Sequence, residues 1–259
     1  MRSSFSPLVF LMLIAGGLSL SFPLGAQQET GIPAPAPQKW SFKGPFQTFD
    51  RAALQRGLQV YQEVCSTCHS LKHLSYRNLS ALGYTEKEIK AIAAEHKVND
   101  TNDQGEPVER PAVPADRFVS PYPNDKAARA ANNGALPPDL SLMTKARKYG
   151  PDYLYALLTG FQQAPKDLKL SPGMHYNLAF PGHQIAMAPP LSDGQVTFAD
   201  GTPATVQQMA HDVVTFLAWA AEPEMEARKQ TGVMVIAFLL VFTAFLYASM
   251  KRIWGRVKH

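Results

Sequence analysis

The chain has 259 residues, 46% of them hydrophobic and 18% charged, with 21 Pro, 17 Gly and only 2 Cys. Its net charge of +4 resides at its ends: Arg2 near the start and Lys251, Arg252, Arg256 and Lys258 at the finish, with twenty bases against twenty-one acids in between. A body without excess positive charge excludes a nucleic-acid binder. Two cysteines exclude a disulfide-stapled scaffold and leave room for one cofactor site.

Residues 1–26 read as a secretory signal peptide: Arg2, an apolar run from Leu8 to Leu20, and Leu24-Gly25-Ala26 as a small-residue cleavage site. Residues 27–47 are rich in Pro and Gln and read as an extended lead-in to an exported domain over 27–229. Leu54, Leu58, Tyr61 and Val64 recur at helical spacing and predict an amphipathic helix from Asp50 into Cys65. Thr85-Glu86-Lys87-Glu88 is a capping-box pattern that opens a helix to about His96. Residues 99–124 are polar and proline-containing and read as a surface loop. Gly150-Pro151-Asp152 starts a helix that Gly160 stops. Residues 161–204, dense in Pro and Gly, predict irregular wrapping; Thr202-Pro203 then opens a long apolar helix broken by Pro223. No strand alternation or repeat stands out, so the expected fold is mainly α with long loops, which in a compact domain usually serve a site.

The last element is an uncharged run of 19 residues, Gly232 to Met250. At about 1.5 Å per residue it nearly matches a hydrocarbon core of about 30 Å. A transmembrane anchor is expected over 230–251, followed by a basic tail at 252–259. The heavier basic cluster follows the span, which predicts a cytoplasmic C-terminus and an exported head on a single-pass inner-membrane protein.

Cys65-Ser66-Thr67-Cys68-His69 is the attachment signature of a c-type haem. Thiols three residues apart share one face of a helical turn, within reach of two vinyl groups, and the next residue offers an imidazole to the iron. A thioredoxin-like dithiol would need a strand before it and a zinc site would need a second ligand pair; neither is present. For the sixth position the candidates are Met143, Met174, Met187, Met209 and Met225, with His73, His96, His175, His183 and His211. Met209 lies in a core stripe, and His73 is too near the attachment site. Met187, in the stiff segment Ala186-Met187-Ala188-Pro189-Pro190, competes with Met174 and His183 on spacing alone. A histidine–methionine pair closes the iron and favours electron transfer.

Beyond this motif the chain resembles the cytochrome c1 family, the haem-bearing subunits of ubiquinol:cytochrome c reductase, in its bacterial form. The resemblance rests on Trp40-Ser41-Phe42, Arg56 to His69, Arg129 to Ser141, Ala146-Arg147, Tyr153 to Gly160, Phe180-Pro181-Gly182, Met187 to Leu191, Asp200 to Thr205 and Phe216 to Pro223. It implies a class I cytochrome c head and one covalent haem c on Cys65 and Cys68, with His69 and Met187 as axial ligands. It implies Arg147 at a haem propionate, with Tyr153, Asn132 and Pro138 lining the pocket and the Pro138 carbonyl orienting His69. A guanidinium suits a buried carboxylate, in agreement. Some bacterial relatives carry a disulfide between the two ligands; this chain has no spare cysteine, leaving Pro165, Pro172 and Pro181 to stiffen 161–186.

The resemblance further implies an electron-transfer subunit of the reductase with no substrate-oxidising site of its own. Its partners would be cytochrome b, the Rieske iron–sulfur protein, a soluble c-type cytochrome and membrane lipid, in a dimeric complex. Glu95, Asp100, Asp103, Glu106, Glu109 and Asp116 form a candidate docking surface for a basic carrier, diluted by Lys97, Arg110 and Arg117. A free-standing membrane-anchored carrier, or a gas-binding haem protein with an open sixth site, remains the alternative.

Overall fold

The computed structural model describes residues 34–256; the expected signal peptide and residues 257–259 of the tail lie outside the described residues. The head is mainly helical. Helix α1 (Arg51–Val60) is capped by the Asp50 carboxylate, which accepts from the amides of Ala52 and Ala53 at 2.9 and 3.3 Å. It buries Leu54 and Leu58 completely, each contributing about 1.5–3 kcal/mol. Its continuation is a π-helical turn, Tyr61–Cys65, rather than the uniform α-helix that periodicity predicts. The Ser66 amide reaches the Tyr61 carbonyl at 2.8 Å, and the Ser66 hydroxyl donates to the Gln62 carbonyl at 2.7 Å. Single π-helical turns of this kind often mark functional sites.

A 3₁₀ helix, Tyr76–Leu82, leads to α2 (Glu86–Ala94), where the predicted capping box is present: Thr85 caps the Glu88 amide and Glu88 accepts from the Thr85 amide at 2.7 Å. The segment read as a loop over 99–124 contains instead an antiparallel hairpin, β1 (Lys97–Thr101) with β2 (Pro107–Pro111). Helices α3 (Asp125–Ala131) and α4 (Met143–Ala146) precede α5 (Gly150–Thr159), which starts and stops where Pro151 and Gly160 place its ends. Beyond α5, two short strands, β3 (His175–Tyr176) and β4 (Gln184–Ile185), pair antiparallel within the irregular stretch.

Helix α6 (Val206–Ala221) opens at Thr205, three residues after the predicted start, because the Thr205 hydroxyl caps the Gln208 amide at 3.1 Å. It is buried almost throughout from Met209 to Ala220. α1 crosses α6 at Gly57, where a Cβ would stand 2.1 Å from the Asp212 carbonyl oxygen and 2.7 Å from the Phe216 Cβ. Only a glycine allows this approach. Beside the crossing, Arg56 makes a two-pronged contact with the fully buried Asp212 at 2.7 and 3.1 Å, and also binds Asp200 at 2.7 Å. The described part of the expected lead-in has no regular secondary structure over 34–40 and turns and bends over 41–46, yet it reaches the core: Trp40 and Phe42 are buried, as is Phe49 just after it. The Trp40 indole N–H donates to Asp152 on α5 at 2.7 Å, and its ring stacks on His211 of α6.

Helix α7 (Met225–Trp254) has 30 residues, so it is about 45 Å long. Among the described residues it is the one helix long and apolar enough to cross a membrane, and its apolar window is wholly exposed. Its first turns are joined to the head. Glu226 binds Arg51 at 2.6 Å and the Phe49 amide at 2.7 Å, and Lys229 donates to the Phe42 and Gln47 carbonyls at 2.7 and 3.0 Å.

Candidate haem site

The π-helical turn delivers the chain into Cys65, and the next turn closes on it. The amides of Cys68 and His69 both donate to the Cys65 carbonyl, at 3.1 and 2.9 Å, which sets the two half-buried cysteines and the histidine together on one turn. Burial pushes the Cys65 thiol up to about 12. The Tyr61 hydroxyl reaches across from the core and donates to the His69 carbonyl at 3.0 Å.

The His69 ring is fixed from the other side. Its Nδ1 lies 2.8 Å from the Pro138 carbonyl. A carbonyl only accepts, so Nδ1 carries the proton and Nε2 keeps its lone pair in the neutral ring. Burial lowers the pKa of His69 and favours that neutral form. The position of Pro138 is set by Asp139, whose carboxylate accepts from the Ser70 hydroxyl at 2.7 Å and from the Lys72 and Ser141 amides at 2.8 and 2.9 Å. Burial works to raise the Asp139 pKa, but these hydrogen bonds outweigh it and hold the carboxyl below its usual range. A main-chain bond from Leu140 to the Ser70 carbonyl at 2.9 Å completes the clamp.

Asn132 lies on the far side of the cysteines. Its side-chain amide donates to the Ala128 carbonyl at 2.7 Å and to the Tyr122 hydroxyl at 3.1 Å, and that hydroxyl is 4.0 Å from the Cys68 sulfur. Tyr153 on α5 is half-buried; burial raises its pKa, and the nearby Arg147 charge opposes the rise. Arg147 is exposed, donates to the Ala146 carbonyl at 3.1 Å, and meets no carboxylate among the described residues.

Met187 follows β4 and is half-buried. Its loop is tied to the end of α5 by Asn177, which is fully buried. The Asn177 side chain donates to the Leu157 carbonyl at 2.8 Å and accepts from the amides of Ala179 and Phe180 at 2.9 and 3.2 Å. Its main chain exchanges bonds with His183: the His183 carbonyl accepts from the Asn177 amide, and the His183 Nδ1 lies 3.1 Å from the Asn177 carbonyl. With its ring also against Tyr176, His183 is part of this knot. His96 stacks on Tyr76 and His211 on Trp40, both as packing residues. Among the described residues, no hydrogen bond or ion pair joins Met187 to the His69 cluster.

Several features of the described residues suit a haem. The cysteines stand unpaired on the same turn as an imidazole with a free Nε2. α5 is strongly apolar, yet only Leu154 is fully buried, while Tyr153, Leu157 and Leu158 stay half-exposed. Half-buried apolar side chains of this kind match a large planar hydrophobic group. Among the described residues no three His, Cys, Asp or Glu converge as they would around a bound metal ion, so the zinc reading of the CxxC pair gains no partners. The sequence reading does not single out Tyr61, Asp139, Tyr122 or Asn177 as site residues: Tyr61 enters it only in a helical stripe and Asp139 only within the stretch Arg129 to Ser141. Of these only Asp139 had a local signal, an Asx turn onto Ser141 in Pro137-Pro138-Asp139-Leu140-Ser141.

A family model described as "Cytochrome C1 family" matches residues 40–257. "Cytochrome c1" of Rhodospirillum rubrum is 48% identical, over 95% of this chain and 97% of that protein. "Cytochrome c1, heme protein, mitochondrial" of Saccharomyces cerevisiae is 51% identical, over 89% of this chain and 75% of that protein. "Cytochrome b/c1" of Bradyrhizobium diazoefficiens is 48% identical over 94% of this chain, which spans only 39% of that longer protein. With the matched stretch covering most of the chain and the attachment turn, the histidine clamp and the long terminal helix all inside it, this chain belongs to the cytochrome c1 family.

Proposed function

We propose that the chain carries one haem c, attached through Cys65 and Cys68 and held by His69 and Met187, and relays single electrons within a quinol:cytochrome c reductase. When bound, the haem supplies a one-electron iron couple. The observation that carries this reading is the 2.8 Å contact between His69 Nδ1 and the Pro138 carbonyl. It fixes the tautomer that leaves Nε2 as a metal-binding lone pair and strengthens the imidazole as a donor. The Asp139 clamp holds the Pro138 carbonyl that orients the ring, and the Tyr61 hydroxyl anchors the main chain of His69. The Asn177 knot steadies the loop that presents Met187, in place of a disulfide. Arg147, with no carboxylate of its own among the described residues, is free to pair with a propionate, beside Tyr153; Asn132 and Tyr122 close the cysteine side.

In this reading the donor is the Rieske iron–sulfur subunit, the acceptor a soluble c-type cytochrome, and cytochrome b the membrane neighbour in a dimeric complex. The chain oxidises no substrate itself. Residues 27–229 form the exported head once a 1–26 signal peptide is removed. Residues 230–251 cross the inner membrane, and the basic tail, with Lys251 and Arg252 closing α7, stays on the cytoplasmic side. The presence of a relative whose printed name joins "b/c1" supports the association with cytochrome b.

The test is a Met187→Leu variant of the full chain, examined with the parent for covalent haem, ligand binding and copurification. The parent should keep its colour in acidified acetone, refuse carbon monoxide when reduced, and copurify with cytochrome b in mild detergent. The variant should bind carbon monoxide readily. A parent that binds it equally fast would overturn methionine ligation, and extraction free of cytochrome b would favour a free-standing carrier.

A further inference from the structure

At the junction of head and terminal helix lies an open, largely apolar groove of about 380 Å³, lined by Trp40, Phe42, Tyr149, Pro151 and Met225, with Lys43 and Lys229 at its sides. Three features set its level relative to a bilayer. Met225 begins α7, Lys229 follows one turn later, and the uncharged run starts at Gly232. At about 1.5 Å per residue, Lys229 stands about 4.5 Å above that run and Met225 about 10 Å above it. A bilayer of about 40–45 Å around a core of about 30 Å leaves a polar layer of about 5–7 Å on each side, so the Lys229 rim of the groove stands at headgroup height and Met225 just above it.

The side chains there are those an interface selects. Tyr149 is 43% exposed although large and aromatic, and it occupies a left-handed conformation with φ 67°. Such backbone is unfavourable for a bulky residue and persists where the surroundings require it. Here it aims the ring outward, and the Lys148 ammonium lies 5.0 Å from the ring centroid. Phe46, on the loop whose Gln47 carbonyl is bound by Lys229, is 77% exposed. Tyrosine, tryptophan and lysine are favoured where apolar and wet regions meet. Lys43 is exposed and makes no ion pair among the described residues, and Lys229 binds two neutral carbonyls, so the rim is positive. The one carboxylate lining the groove, Asp152, is already engaged by the Trp40 indole and the Gln38 amide.

We propose that this groove receives the headgroup end of a phospholipid of the leaflet facing the head, its phosphate between Lys43 and Lys229 and its acyl chains running down the exposed start of the uncharged run, with Phe46 dipping beside it. The proposal rests on α7 being the membrane anchor. The haem-loaded full chain, carrying a nitroxide at Pro45→Cys or Ala244→Cys, is placed in nanodiscs of phosphatidylcholine with phosphatidylglycerol. The label at position 45 should collide more with oxygen than with a water-soluble nickel chelate. Lys43→Gln should lower phosphatidylglycerol retained on the extracted protein about fivefold. A water-exposed label at 45 with a deep label at 244 would overturn the groove proposal and leave the anchor intact. Unchanged lipid retention in Lys43→Gln would also overturn it. A water-exposed label at 244 would remove the anchor and the proposal together. If the label at 45 is shielded from both reagents in the assembled complex, a protein partner occupies the groove and the lipid is excluded.

Discussion

The hydroxyl of Tyr61, itself only 2% exposed, donates to the main-chain carbonyl of His69 at 3.0 Å. A side chain in the core, packed on Phe216 and Phe118, thereby reports directly on the backbone of the proposed iron ligand. Tyr61→Phe keeps the rings and removes the bond. Leaving a carbonyl short of its partner costs roughly 1–3 kcal/mol. The expected result is a lower midpoint in denaturant by that amount and a shifted reduction potential; unchanged values of both would show that the bond plays no part.

The α1–α6 crossing gives a second expectation. With only 2.1 Å between a Gly57 Cβ and the Asp212 carbonyl oxygen, Gly57→Ala must push the two helices apart. Overpacking of this kind costs about 1–3 kcal/mol. The Arg56–Asp212 contact lies on the same seam and should loosen with it. Thermal unfolding followed by circular dichroism reads the loss.

Asn177 is the third. Asn177→Ala strands the Leu157 carbonyl and the Ala179 and Phe180 amides in a buried place. Each stranded group costs roughly 1–3 kcal/mol. The variant should still attach haem, because the cysteine turn lies elsewhere, but the reduced protein should bind carbon monoxide faster than the parent. Parent-like exclusion of the gas would separate Asn177 from the Met187 loop.

A pH dependence follows from His211. The Asp212 carboxylate, 4.0 Å from its Nδ1, and the Lys39 carbonyl, 3.2 Å from its Nε2, raise its pKa above 6.5, against burial and the Arg56 charge. Trp40 and Tyr155 are the rings packed on it. Because the folded value is the higher one, the stabilisation is complete below about 6.5 and disappears as pH rises through the folded value. Melting temperature should therefore fall as pH rises above about 6.5 in the parent. His211→Phe, which keeps a ring on Trp40, should flatten that slope.

The hairpin bears on the proposed docking of a soluble acceptor. Arg110 binds both Asp100 and Asp116 at 2.6 Å, and Lys97 sits 3.6 Å from Glu109, so half of the acidic run is internally balanced. Glu95, Asp103 and Glu106 keep the surface negative. Reversing Glu95 and Asp103 to Lys should slow reduction of a basic soluble cytochrome several-fold at low salt and flatten its salt dependence. A parent-like salt dependence would place the docking surface elsewhere.

The elements that sequence reading located were those with a chemical signal of their own. Thr85 and Glu88 cap each other whatever the rest of the chain does, and Cys65-Ser66-Thr67-Cys68-His69 carries its chemistry in its spacing. The β1–β2 hairpin escaped because its strands bury almost nothing: Val98 is the one apolar side chain even half-buried there, so alternation never appears. What joins the strands is the Asn102 side chain, which accepts from the Gln104 and Glu106 amides at 3.0 and 2.9 Å. Asn177 escaped for a different reason. A lone amide in a Pro- and Gly-rich stretch reads as a turn residue, and its burial depends on α5, some twenty residues earlier. The prolines at 165, 172 and 181 were the visible candidates for stiffness, but the buried amide ties the loop.

The bonds from Glu226 to Arg51 and from Lys229 to the Phe42 and Gln47 carbonyls fasten the first turns of α7 to the folded head at several points. In the proposed membrane setting the attachment turn would keep one altitude over the lipid and one bearing. Any travelling needed to carry charge from the proposed donor to the proposed acceptor would then fall to the proteins on either side, with this one the stationary post between them.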